Sequence, residues 1–300
     1  TRRSSDLRTG GKPRKTTKKY GTSQWGEAWI RLKRDKKAMM GLVIICILLC
    51  CALVPSLLAP YGLDEQRPAE ALQWPNLLHL MGTDNFGRDI FSRIIYGART
   101  SIVVGFIAVG FACITGTLIG AAAGYYGGKA DNVLMRFMDV LMAIPSTLLA
   151  ISIAAALGSG LVNLMIAAGI GTIPSYARTV RASVLTVKDQ EYIEAARAGG
   201  ASDLRIVLRH ILPNCLAPII VRSTLGVASA ILTCASLSYI GLGIQPPTPE
   251  WGNMLNTGKA YLLNEWYMAL FPGLAIMMVI LALNLLGDGL RDALDPRMKR

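Results

Sequence analysis

Apolar runs of about 20 residues constrain this chain more than any other feature. The first, "MMGLVIICILLCCALVPSLLA", covers residues 39–59 without a charge. A helix of that length crosses the roughly 30 Å of hydrocarbon in a bilayer. An isolated run of this kind must be helical in lipid, because only a helix pairs each backbone N–H and C=O within the segment itself. Comparable runs follow at 101–123, 137–157, 161–177, 215–244 and 266–286. The expected fold class is therefore an all-α integral membrane protein with six transmembrane helices. The third and fourth runs contain Pro145 and Pro174, and only Gly158, Ser159 and Gly160 separate them, so a tight helical hairpin is expected there.

Charge sets the orientation. The net charge is +12, a value that by itself suits nucleic-acid binding, yet 13 of the 31 Lys and Arg residues precede residue 39. That placement matches a membrane anchor with its basic flank inside. With the N-terminus inside, the segments 1–38, 124–136, 178–213 and 287–300 carry 25 basic residues. The outer segments carry five: Arg67, Arg88, Arg93, Arg99 and Lys259. Both termini are expected in the cytoplasm, with no nucleic-acid partner. The long basic lead and the absence of a small-x-small site after the first run favour an uncleaved span over a signal peptide.

Catalytic signatures are missing. The six cysteines all lie in apolar runs with no CxxC pair, as packing residues do. His79 and His210 fall on opposite membrane sides under this topology, which excludes a histidine metal pair, and neither HExxH nor GxSxG occurs. The nearest approach to a phosphate loop ends in Gly128-Lys129, but Ala123 and Ala130 replace its first glycine and its Ser/Thr. The chain is not expected to be an enzyme, to bind a cofactor or to hold a metal.

One stretch breaks the apolar pattern: "EYIEAARAGGASDLRIVLRHILPN", Glu191 to Asn214. Lys188 to Ala198 is rich in helix formers, and Gly199-Gly200 ends it as C-terminal glycines do. Ser202 is placed to cap a second helix, in which Leu204, Val207, Leu208 and Ile211 recur at helical spacing as an apolar stripe opposite Arg205 and Arg209. Pro213 ends that helix or opens the fifth run. The small side chains of Ala195, Ala196 and Ala198 let the first helix enter a partner's groove, with Glu191 and Glu194 available to basic groups. A solvated amphipathic loop without a partner fits the same residues.

Glu194-Ala195-Ala196, Gly200 and Leu212-Pro213 resemble the EAA loop of ABC-transporter permeases, with His210 where that pattern has Ile. "MGTDNFGRDIFSRIIYGARTSIVVG", "GYYGGKADNVLMRFMDVLMAIPS", "GLGIQPPTPEWGNML" and "LNLLGDGLRDALDPR" resemble the C-type permease of dipeptide and oligopeptide importers. The resemblance covers residues 22–300 and implies a type I ABC importer permease fold. It divides the chain into a basic tail (1–38), a first span with an outer segment (39–98), a five-helix core (99–287) with a coupling loop (178–213), and a tail (288–300). It implies import of dipeptides or oligopeptides, with glutathione or nickel as cargo of close relatives. A B-type permease would complete a heterodimer, two ATPase subunits would carry ATP and Mg, and an extracytoplasmic solute-binding protein would deliver cargo. ATPase coupling would fall to Glu191, Glu194, Ala195, Ala196, Gly199, Gly200, Leu212 and Pro213. The expected location is a bacterial or archaeal cytoplasmic membrane. A stand-alone channel and a membrane scaffold are the rivals from other classes.

Other residues leave two readings open. Arg136 and Asp139, three apart, form a local ion pair or line the translocation path. Arg222, two turns into the fifth run, faces a cavity or partner, as a residue of the translocation path would, or snorkels to the inner surface. Asp84, Arg88, Asp89 and Arg93 form a solvated helix or part of a binding-protein seat. Trp251 suits an interfacial anchor. "SQWGEAWIRLKRDKKAMM" presents Trp25, Ala28, Trp29 and Leu32 on one face, for a helix on the inner headgroups or a basic flank to insertion.

Overall fold

The computed structural model describes residues 24–294, with thirteen α-helices and no strands among them. Helix α1 (Gln24–Arg34) meets α2 (Lys36–Leu53) at Asp35, whose carboxylate accepts from Lys37 N–H and caps α2. A single turn, α3 (Pro55–Leu58), and an irregular segment lead to α4 (Ile90–Tyr126). Then come α5 (Gly128–Ala143), α6 (Ser146–Leu157), α7 (Leu161–Ile170) and α8 (Ile173–Val187). The polar loop holds α9 (Glu191–Ala198) and α10 (Asp203–Ile206), and the chain closes with α11 (Leu216–Tyr239), α12 (Trp251–Gly258) and α13 (Tyr267–Leu294).

The six expected spans differ in how they are built. Four helical runs are long and apolar enough to cross a bilayer: α2, α4, residues Asp203–Tyr239 and α13. The third expected span is broken. α5 and α6 pass only as a pair bent by 88°, so five spans result if that pair counts as one. The cause is Pro145, which lacks an N–H and forces Ile144 out of helical geometry to φ −91°, ψ 128°. The fourth is divided between the ten-residue α7 and α8, with Gly171 and Thr172 at the break. Conversely, the second is longer than its apolar core: α4 has 37 residues, on the order of 55 Å at 1.5 Å each, and begins in what reads as outer loop.

Helix α4 is the axis of the bundle. It packs most extensively on α8 and also on α11, while α13 packs against α2, α11 and α12. Small residues form the seams, as expected where lipid gives apolar side chains no reason to prefer each other. On α4, Gly116, Gly120 and Gly124 recur every four residues and face α8 at Tyr176, Ala177, Val180 and Val184. A Cβ on Gly120 would lie 2.3 Å from the Ala177 carbonyl oxygen. That oxygen is backbone and cannot rotate away.

Helix α1 buries Ala28 and Leu32 against Ala293, Leu290 and Leu294 of α13, while Trp29 stays exposed. The amphipathic stripe is thus partly used inside the protein rather than lying wholly on headgroups. The side chain of Trp25 and the tail 1–23 lie outside the described residues. "LRDAL" is the end of α13. All six cysteines are free.

Gly120→Ala is expected to destabilise the protein by about 1–3 kcal/mol, the usual range for overpacking. Gly110→Ala on the same helix, where an added Cβ meets nothing within 4 Å, should be neutral or slightly stabilising. Thermal unfolding in detergent, followed by helical circular dichroism, compares the two.

Candidate functional site

The polar loop forms an elbow at one end of the bundle. Within α9, Ile193 is fully buried in a cluster with Ala121 of α4, Val180 and Val184 of α8, and Ile206, Ile211, Cys215 and Ile219 beyond the turn. Ile193 is the only aliphatic residue larger than alanine in "EYIEAARA", and that contrast was a legible signal of an anchor. Around it Glu191, Tyr192, Glu194, Ala195 and Ala198 are exposed and Ala196 is half-buried. The helix is therefore pinned by one knob and presents an acidic, small-residue face outward.

Its C-terminus is a Schellman motif. Gly200 N–H donates to Arg197 O at 3.0 Å and Ala201 N–H to Ala196 O at 3.1 Å. Gly200 adopts φ +78°, whereas Gly199 sits at φ −73°. Only Gly200 needs to be glycine for conformational reasons. Ser202 occupies the N-cap position of α10, but its hydroxyl makes no cap bond.

The apolar stripe of the second helix falls elsewhere than its α-helical spacing indicates. Residues Val207–Ile211 form a π-helical turn, in which Leu212 N–H reaches back to Val207 O. Ile206 and Ile211, five apart, become the buried pair, while Leu204 and Leu208 are exposed. Pro213 lacks the N–H that would reach the residue 209 carbonyl, and the side chain of Asn214 donates to His210 O at 2.7 Å. Leu212 is half-buried and Pro213 exposed in the short 3₁₀ turn leading into α11. The elbow is tied to the end of α4 by Tyr125, whose hydroxyl meets Asp203 Oδ1 at 2.6 Å and whose ring lies under Arg197.

Arg136 and Asp139 do not pair with each other. Asp139 pairs with Arg178 of α8 at 2.5 Å, and Asp131 takes Arg181 in a two-pronged bond that also holds its carboxyl below the usual range. Arg136 lines the same cleft of about 900 Å³ between α5 and α8. Arg222 is not part of it. Its guanidinium lies 5.8 Å from the Tyr176 ring and borders a separate cleft between α8, α11 and α13. Sequence reasoning missed Asp131, Arg178 and Arg181, because their partners are about 40 to 50 residues away.

The opposite end is a buried polar cap. Asp84, Arg88, Asp89 and Arg93, expected in a solvated helix, are each at most 6% exposed. Asp84 accepts from Phe86 and Arg88 N–H and from Arg88 Nε at 2.7 Å. Asp89 caps α4 through Ser92 and lies 2.9 Å from Nδ1 of buried His79, whose Nε2 is 3.2 Å from Glu70. Trp251 is likewise no interfacial anchor. It is fully buried, with Nε1 donating to Ile94 O at 3.0 Å and its amide to Ser101 Oγ. Beside it, buried Glu250 caps α12 by accepting from Gly252 and Asn253 N–H.

Among the described residues no group of three or more His, Cys, Asp or Glu is placed to hold a metal ion. What this geometry defines is a membrane-embedded helical bundle with a keyed elbow at one end and a packed cap at the other. Comparison with known proteins names the class. The profile of the family described as "Binding-protein-dependent transport system inner membrane component" matches residues 116–300, and that of the "N-terminal TM domain of oligopeptide transport permease C" matches 23–75. The chain belongs to this family of ABC importer permeases, multi-pass inner-membrane components that work with ATPase subunits and are not themselves enzymes.

Its relatives include dipeptide and glutathione permeases. The chain is 49% identical to the dipeptide transport system permease protein DppC of Alkalihalophilus pseudofirmus, over 92% of this chain and 91% of that protein. It is 44% identical to the di/tripeptide transport system permease protein DppC of Pseudomonas aeruginosa, over 91% and 92%. It is 47% identical to the glutathione transport system permease protein GsiD of Escherichia coli, over 92% and 91%. An inward-facing structure of the MetNI methionine ABC transporter shares the fold, with TM-score 0.54, 19% identity and coverage of 69% of this chain and 98% of that one.

Burial pushes the Glu250 carboxyl above the usual range, outweighing its hydrogen bonds. Its folded form holds the proton more tightly than its unfolded form does. Its contribution to stability is therefore full at acidic pH and is lost as pH rises from the ordinary value of 4.5 through the raised one. Glu250→Gln should flatten that part of a profile of unfolding temperature against pH.

Proposed function

We propose that this chain is one half of the translocation pathway of a peptide importer, driven through its elbow by cytoplasmic ATPase subunits. The α9 helix carries the reading. Its acidic and small-residue face, Glu191, Glu194, Ala195 and Ala198, is exposed, while Ile193 keys the same helix into the ends of α4 and α8. A groove in an ATPase would accept that face. ATP and Mg would act in that partner, and its closure would pull α9, with Gly200 fixing the angle to the following helix and Leu212-Pro213 leading the motion into α11.

The elbow end is the cytoplasmic end in this reading, as the bias of basic residues favours. The α5/α8 cleft supports a second permease half. Arg136, Asp139 and Arg178 are exposed beside it, and charges at membrane depth need a partner or a water-filled path. A B-type permease would close that side, with Arg136 and Asp139 bordering the passage. The outer surface of the cap at the other end would meet an extracytoplasmic solute-binding protein. Identity to the two DppC proteins favours dipeptides as cargo, and identity to GsiD supports glutathione as the second reading.

Gly200→Val places a β-branched residue in the left-handed region, at a cost of at least about 1–2 kcal/mol. In the reconstituted transporter it should sharply reduce labelled-dipeptide uptake while ATP hydrolysis continues, and Gly199→Ala should leave both intact. Full uptake by the Gly200 variant would refute the assignment of the elbow. Uptake by this chain alone, without ATPase subunits, would refute the importer reading.

A further inference from the structure

The cleft beside Arg222 has no role in the pathway described above. It measures about 570 Å³, within the range of small-molecule sites. Two arginines border it from different helices, Arg222 of α11 and Arg291 of α13, together with Asn214. Its remaining wall is largely apolar and includes Val221, Leu225 and Leu294. Neither arginine has an ion pair among the described residues, and Arg222 Nε is buried without a hydrogen-bond partner. Buried N–H groups without partners are rare in folded proteins. The carboxylates nearest in sequence to Arg291, those of Asp288 and Asp292, are exposed and do not line the cleft.

Depth narrows the ligand. Arg222 stands six residues past the start of α11, roughly 9 Å along its axis at 1.5 Å per residue. Arg291 lies in the last turn of α13, a helix of 28 residues, about 42 Å long, which matches a bilayer with its headgroups. One arginine is therefore at headgroup level and the other just beneath it. We propose that this cleft binds an anionic phospholipid of the leaflet on the elbow side. Its phosphate would sit between Arg222 and Arg291 and its glycerol and upper acyl chain against Val221, Leu225 and Leu294. Basic pockets between transmembrane helices bind such headgroups. A soluble anion would satisfy the arginines but would leave the apolar wall unused.

Native mass spectrometry of the full chain, purified with whatever subunits accompany it, tests this with phosphatidylglycerol, cardiolipin and phosphatidylcholine as probes. Two arginines should give the anionic lipids a preference on the order of ten- to thirtyfold. Arg222→Gln with Arg291→Gln should abolish it, whereas Arg205→Gln with Arg209→Gln, on the exposed elbow, should not. Ala217→Trp keeps both charges, fills the cleft and should also lose the bound lipid, which distinguishes the site from diffuse attraction to a basic surface. Equal retention of all three lipids, or an unchanged preference in the Arg222 and Arg291 double variant, would overturn the proposal. So would displacement of the lipid by glycerol 3-phosphate or by a dipeptide at equal concentration, since either would show a site for soluble anions.

Discussion

The near contact of two backbones, α4 against α8, sets the terms for the rest of the molecule. Gly116, Gly120 and Gly124 let the helices approach until the Ala177 carbonyl lies where a side chain would begin. Lipid supplies no hydrophobic push between helices, so close dispersion contact must hold them. At the elbow the same two helices supply Ala121, Val180 and Val184, the socket for Ile193. The seam and the socket are continuous, so α9 is seated on the pair and not on either helix alone.

The two ends of the bundle treat charge in opposite ways. On the elbow side, in the cleft between α5 and α8, the Arg178–Asp139 pair is about half exposed, open to a partner or to water. At the cap, Asp84, Asp89, His79 and Glu250 are shut away from solvent and tied into turns and helix starts. Buried charge left without partners costs far more, so the cap has few alternative arrangements. One end presents its charge at the surface and the other encloses it.

Much of this was legible in the residues. The all-helical fold, the turn at Gly200 and the exposed face of α9 follow from local chemistry, and the motifs pointed to the family. What was not legible depended on distant partners or on small changes of helical pitch. Pro145 was visible, but an 88° bend is set by what packs around it. The alternating signs of Asp84, Arg88, Asp89 and Arg93 read as solvated, because nothing nearby in sequence shows that residues 59–83 and the 247–251 segment would cover them. Trp251 looked amphipathic until α4 supplied acceptors for both of its N–H groups. Leu204 and Leu208 fitted an α-helical stripe with Ile211, but Ile206 takes their place beside it.

That last substitution follows from the widened turn at 207–211, and it carries an arithmetic of its own. Each residue of an α-helix advances the chain by about 100°, and a π turn is one residue too many for that count. Here the widened turn absorbs that extra residue, so Ile206 and Ile211 share a face and α9 keeps its bearing on α11. Were the same residues wound at the ordinary pitch, α9 would swing about a quarter revolution around the axis of α11, with every contact inside α9 intact. In this chain, the winding of one short turn decides which way α9 faces.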